Sequence, residues 1–188
     1  LGGFNHYSKH SSRYSNWRHL RHRGVLIMIE SEQLALSALK FRYPNHIITH
    51  STPYQDMNWH YDFIVENPTT SNKMFVESKY KLEGLGIFMW YEIANKRGDR
   101  GWGYGCADWL LHNIPNGWIL LKLDDLRRAV HTKIIQNGGL TILTDKEKVR
   151  DFQAYTRTKW GNLDIMVKLP YDFIMSLPHK LILDENRT

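Results

Sequence analysis

Cysteine is nearly absent: Cys106 is the single one in 188 residues. That excludes an internal disulfide framework and a cysteine-based zinc finger, and it is compatible with a reducing compartment. Acidic residues are missing from the start of the chain, where none precedes Glu30. Long apolar runs are missing too. None approaches the ~20 residues that a spanning helix needs, so an integral membrane protein is excluded and no membrane partner is expected. There is no internal repeat, no low-complexity linker and, beyond residue 30, no domain boundary in the composition.

What is present argues for a packed chain. Hydrophobic residues make up 42%, with 7 Trp, 10 Tyr and 7 Phe, which excludes a disordered protein. The length suits one domain with a real core. The formal net charge is +6, but it is unevenly placed. Of 25 Lys and Arg, five (Lys9, Arg13, Arg18, Arg21, Arg23) fall in residues 1–24, so the remaining 20 face 19 Asp and Glu. The body is close to neutral, and a basic arm over 1–24 is expected ahead of one domain over 25–188. Any nucleic-acid surface on the body must come from local placement of charge.

Punctuation and periodicity predict the elements. Ser31 caps a helix whose stripe is Leu34 with Ala38 and Ala35 with Leu39. A strand at His46–His50, a turn around Pro53 and a strand at Tyr61–Glu66 follow. Asn67-Pro68-Thr69-Thr70-Ser71-Asn72 is a turn, and Lys73–Leu82 is the returning strand. Further strands are expected at Ile87–Ile93 and Trp118–Leu123. A helix with Leu126, Val130 and Ile134 inward then ends at Asn137-Gly138-Gly139. A short strand at Leu140–Leu143, a polar helix over Asp145–Tyr155, a strand at Leu163–Leu169 and a last short helix from Pro170 complete the reading. The fold class expected is α/β, a single domain with a central mixed sheet flanked by helices.

The chemistry concentrates in the hairpin. With the turn symmetric about 69–70, Glu66 faces Lys73, Ile64 faces Phe75 and Asp62 faces Glu77, and Lys79 shares the face of Glu77. Two carboxylates side by side repel without a counter-charge. A divalent cation with oxygen ligands supplies one, and Mg²⁺ typically takes one or two carboxylates together with waters and a substrate phosphate. Lys79 would orient or deprotonate a water, or neutralise phosphate charge. The same residues also fit an Asp–Lys–Glu ion-pair ladder on a solvated strand.

Asp62 on one strand and Glu77-Ser78-Lys79 on the next, after a helix with an early acid, resemble the PD-(D/E)XK nuclease superfamily. Asp56-Met57-Asn58-Trp59-His60-Tyr61-Asp62 looks like the surroundings of the first catalytic Asp in phage-type members. Trp90-Tyr91-Glu92-Ile93-Ala94-Asn95 followed by Gly101-Trp102-Gly103-Tyr104-Gly105-Cys106-Ala107-Asp108-Trp109 is similar to a later run of theirs. The resemblance covers about residues 30–180 and departs at Tyr61, where Pro is usual, and at Ser78, where an apolar residue is usual.

The resemblance implies a restriction-endonuclease-like core and a metal-dependent endonuclease hydrolysing phosphodiester bonds, DNA ahead of RNA. It implies Asp62 and Glu77 as ligands of Mg²⁺ or Mn²⁺ with help from the Ser78 carbonyl, and Lys79 as the catalytic lysine. Glu92 and Glu32 stand as auxiliary acids. The glycine-rich stretch Lys96–Tyr104 supplies Lys96, Arg97, Arg100, Trp102 and Tyr104 for contact with phosphates and bases, with Lys81 extending the basic rim. A homodimer and a cytoplasmic location, the host's for a phage-encoded chain, complete the expectation. Two other readings stay open: a non-catalytic nucleic-acid-binding module of the same fold, and an interaction protein with a basic arm.

Overall fold

The computed structural model describes residues 31–80, 88–114, 117–156 and 162–183. The basic arm over 1–24 and Lys81 lie outside them. The chain divides into two compact units, Leu1–Leu34 and Ala35–Thr188. Of the first unit only 31–34 are described, the opening turn of helix α1 (31–42).

The second unit is mixed α/β and is built on two sheets. Strands β1 (Ile47–His50), β2 (Phe63–Glu66), β3 (Lys73–Lys79), β5 (Trp109–Ile114), β6 (Gly117–Lys122) and β10 (His179–Leu183) form the larger, in the order β1-β2-β3-β5-β6-β10. The smaller holds β4 (Phe88–Ala94), β9 (Ile165–Pro170), β8 (Ala154–Thr156) and β7 (Ile142–Leu143), in the order β4-β9-β8-β7. Each sheet is mixed, since β3 runs parallel to β5 and β7 parallel to β8. Helices α2 (Pro53–Trp59), α3 (Leu123–Gln136) and α4 (Tyr171–Ser176) complete the unit. No helix among the described residues is long and apolar enough to cross a membrane.

The hairpin register matches the expectation: Phe63 pairs with Val76, Ile64 with Phe75 and Glu66 with Lys73. Asn67 makes the turn, its Oδ1 accepting the Thr69 and Thr70 N–H groups, while its backbone N–H reaches the Asn72 carbonyl. Alternation along β2 and β3 then separates two cores. Phe63, Val65 and Val76 pack with Ala35, Ala38 and Leu39 of α1. Ile64 and Phe75 lean on a second core formed by both sheets with α3, which includes Tyr91, Leu110, Ile119, Leu126 and Val130. Tyr61 departs from the expected alternation. It precedes the strand, follows His60 in left-handed backbone (φ 54°), and joins the second core with its ring 4.8 Å from Phe75.

Three expectations need correction. The turn around Pro53 is a full helix, because Thr52 and Gln55 form a reciprocal capping box and Pro53 occupies the first turn, where its missing N–H costs nothing. The helix over 145–155 is a 3₁₀ turn at Lys146–Lys148 followed by β8. Asp145 caps the turn through the Glu147 N–H, and pairing with β9 claims Ala154–Thr156 for a strand. The segment after Pro178, where no element is expected, forms β10 on the edge of the larger sheet.

Candidate active site

The site lies where β3 ends, on the face of the larger sheet that looks toward β4. Register places Glu77 beside Leu110 and Lys79 beside His112. The neighbouring Leu110 is fully buried, so Glu77 lies in the core layer and is 3% exposed. Its Oε1 pairs with the Lys79 ammonium, while its Oε2 is buried with no hydrogen-bond partner. An uncompensated carboxylate oxygen in such a place is costly. Burial accordingly pushes the Glu77 pKa up to about 7, opposed by Lys79 and reinforced by Asp62.

Asp62 sits just ahead of β2, where its N–H bonds the Val76 carbonyl and extends the hairpin by one residue. Its Oδ2 accepts two hydrogen bonds from Ser78, at 2.7 Å from the backbone N–H and 2.6 Å from the hydroxyl. The polar residue between Glu77 and Lys79 is thereby explained. Ser78 fixes the Asp62 carboxylate and leaves Oδ1 without a hydrogen bond among the described residues.

Lys79 is drawn in by three acids. Burial alone would lower its pKa, but Glu77, Asp62 and Glu92 outweigh that and hold it above the usual lysine range. Its Nζ also stands 5.4 Å from the centroid of the Trp102 ring, a cation–π distance.

The glycine-rich stretch serves the site differently from the expectation. Trp102 is 5% exposed, packed against Tyr91 and the lysine, and so presents no face for a base to stack on. Glu92 takes the Trp102 N–H at 3.2 Å through Oε2, so it fastens the loop that carries the indole. Gly103 accepts from the Tyr91 hydroxyl at 2.8 Å and from Arg127 Nε at 2.7 Å. A Cβ at Gly103 would meet Tyr91 Cζ at 2.5 Å and the Glu92 carbonyl at 2.7 Å, so only glycine fits there. Arg127 and Tyr91 were not foreseen: nothing local in a helix or strand pattern shows that two distant side chains converge on one carbonyl.

Asp56 is a third acid that the spacing did not reveal. Burial and the neighbouring Asp62 charge raise its pKa, while Lys79 and His60 lower it, which sets it electrostatically beside the pair. Its signal was the Thr52–Gln55 capping box, which predicts the helix that carries it.

The other expected residues lie on α1, on the loop after β4 and on the 3₁₀ turn that begins at Trp102. Glu32 lies in the first turn of α1, within the N-terminal unit. Lys96, Arg97 and Arg100 are exposed on the loop after β4, with Arg97 paired to Asp99 at 3.1 Å. Tyr104 is exposed and leans on Tyr91.

Among the described residues, no group of three or more His, Cys, Asp and Glu is arranged around one point as a metal cage. Two free carboxylate oxygens, Asp62 Oδ1 and Glu77 Oε2, suit a hard cation that completes its shell with water and phosphate. Comparison with family models, with curated proteins and with solved structures gave no match.

Proposed function

We propose that the chain is a metal-dependent nuclease that hydrolyses phosphodiester bonds, with DNA ahead of RNA as substrate. The observation that carries this reading is the buried Glu77 Oε2 without a partner, beside an aspartate held by Ser78 and a lysine held in its charged form. A structural ion-pair ladder would satisfy both carboxylate oxygens; this one leaves a buried acceptor open.

Asp62 and Glu77 would hold Mg²⁺ or Mn²⁺, and the Ser78 carbonyl is a further candidate ligand. Bound there, the cation would polarise a phosphoryl oxygen and lower the pKa of water. The chain's own residues do the rest. Ser78 keeps the Asp62 carboxylate in one orientation. Lys79, with its pKa raised, acts as a cation and not as a base: it neutralises charge that builds on the phosphate oxygens. Trp102 and Glu92 keep that ammonium in place. On this reading the enzyme works in the cytoplasm, with nucleic acid as its partner.

The test is cleavage of end-labelled duplex, single-stranded and branched DNA and RNA by the full chain in Mg²⁺, Mn²⁺ or EDTA. Cleavage that needs the metal and disappears in Glu77→Gln supports the reading. Wild-type cleavage by Glu77→Gln removes this site from the chemistry. Metal-independent, salt-sensitive binding without any cleavage makes the chain a non-catalytic nucleic-acid-binding module.

A further inference from the structure

A cavity of about 620 Å³ opens beside the site, between α2 and the loop that follows β4. Its walls include Asn58, His60, Asn95, Arg97, Arg100 and Tyr104. The volume falls in the roughly 300–1,000 Å³ range of small-molecule pockets, which suits one nucleotide and not a stacked duplex. It approaches the acids at one end: His60 closes α2 one turn after Asp56 and donates its backbone N–H to the Asp56 carbonyl at 3.1 Å. At the other end Tyr104 closes the 3₁₀ turn that begins at Trp102, under the Lys79 ammonium.

The lining groups have capacity left over in the right kinds. Tyr104 is 38% exposed, and Tyr91 supports it edge-on with ring centroids 6.1 Å apart, so the ring is a backed platform. Asn95 spends Oδ1 on the Arg97 and Asp99 N–H groups, which leaves its NH₂ to donate. Asn58 spends its NH₂ on the Tyr54 carbonyl, which leaves Oδ1 to accept. One donor and one acceptor suit the edge of a nucleobase, which always offers both. Of the two arginines, Arg97 is neutralised by Asp99, whereas Arg100 has no carboxylate partner among the described residues. A guanidinium so placed suits a phosphate, bidentately.

We propose that this cavity is a subsite for a single unpaired nucleotide, its base on Tyr104 and between the Asn58 and Asn95 amides, its phosphate on Arg100. Taken with the nuclease reading, on which this second half rests, the subsite makes the substrate class nucleic acid with a single-stranded or splayed nucleotide next to the scissile bond. A continuous duplex has no base to offer it. Stacking on one ring tolerates any base, so little sequence preference follows.

The probe is a 5′-phosphorylated thymidine dinucleotide, titrated into the full chain in EDTA and followed by amide NMR. Saturable shifts are expected at Asn95 and in the 100–105 loop. Tyr104→Ala should weaken binding about tenfold, and Tyr104→Phe should restore it, because an aromatic face is what a base needs. Arg100→Ala should abolish the preference for the phosphorylated over the unphosphorylated dinucleotide. Shifts confined to residues before 31, unchanged affinity in Tyr104→Ala, or no phosphate preference in the wild type would each overturn the subsite. Cleavage is read separately, in Mg²⁺, on a flap and on a blunt duplex. Tyr104-dependent binding without any cleavage keeps the subsite and removes the nuclease reading. Equal cleavage of flap and blunt duplex keeps the nuclease and removes the substrate class inferred here.

Discussion

Ser78 holds Asp62 twice through the same oxygen, with its backbone N–H at 2.7 Å and its hydroxyl at 2.6 Å. The contact crosses from the end of β3 to the residue before β2, so it sets the carboxylate by the hairpin register itself. Ser78→Ala keeps the first bond and loses the second. The Mg²⁺ concentration for half-maximal cleavage should rise roughly tenfold, in line with the loss of a group that orients a metal ligand. Turnover at saturating metal should change little, and Ser78→Thr should recover part of the affinity. A metal titration of cleavage for the three proteins checks this.

The carboxylates and the lysine should separate by metal dependence. Glu77→Gln and Asp62→Asn remove charge from the cation's ligands and should abolish cleavage at any accessible Mg²⁺ concentration. Lys79→Ala should lose turnover by roughly 10²–10³-fold, the scale of removing one group that stabilises developing charge. Its metal requirement should stay as in wild type. Circular dichroism at matched concentration tells a folded, inactive variant from an unfolded one.

Stability should fall with rising pH in the absence of metal. The Glu77 pKa stands near 7 in the folded chain, against an ordinary value of 4.5. Between those values the folded state binds the additional proton, so raising pH through that window favours unfolding. Thermal melts in EDTA at pH 5, 6, 7 and 8 should show Tm declining toward pH 7. Glu77→Gln should flatten this part of the profile, and Mg²⁺ should lift the wild-type Tm most at the upper end.

The glycine-rich loop should tolerate no side chain at its centre. A methyl at Gly103 meets the Tyr91 ring and the Glu92 carbonyl, so Gly103→Ala should cost about 1–3 kcal/mol, the range for overpacking a tight site. A methyl at Gly138 meets nothing within 4 Å, and the cost there comes only from its φ of +87°. Urea unfolding of the two variants compares these effects. Gly103→Ala should also slow cleavage more than Gly138→Ala does, since the loop carries Trp102 against Lys79.

The hairpin was legible in the amino-acid sequence because its information is local. Alternation, a dense turn signal and symmetric spacing set the pairing from Phe63 with Val76 to Glu66 with Lys73, and they bring Asp62, one residue ahead of β2, to the end of β3 that carries Glu77 and Lys79. The α/β class and α3 with its inward Leu126, Val130 and Ile134 were legible for the same reason. Helix α2 was also written locally, in the Thr52–Gln55 box, although Pro53 reads first as a turn. The rest belongs to tertiary structure. Ala154–Thr156 and His179–Leu183 become strands only because β9 and β6 offer them edges. Trp102 is buried, not displayed, because Tyr91 and Glu92 of β4 and Arg127 of α3 converge on its loop. Hydrogen bonds and ring contacts between residues far apart in the chain leave no period or spacing to read. They exist only once both sheets and α3 have closed on one core.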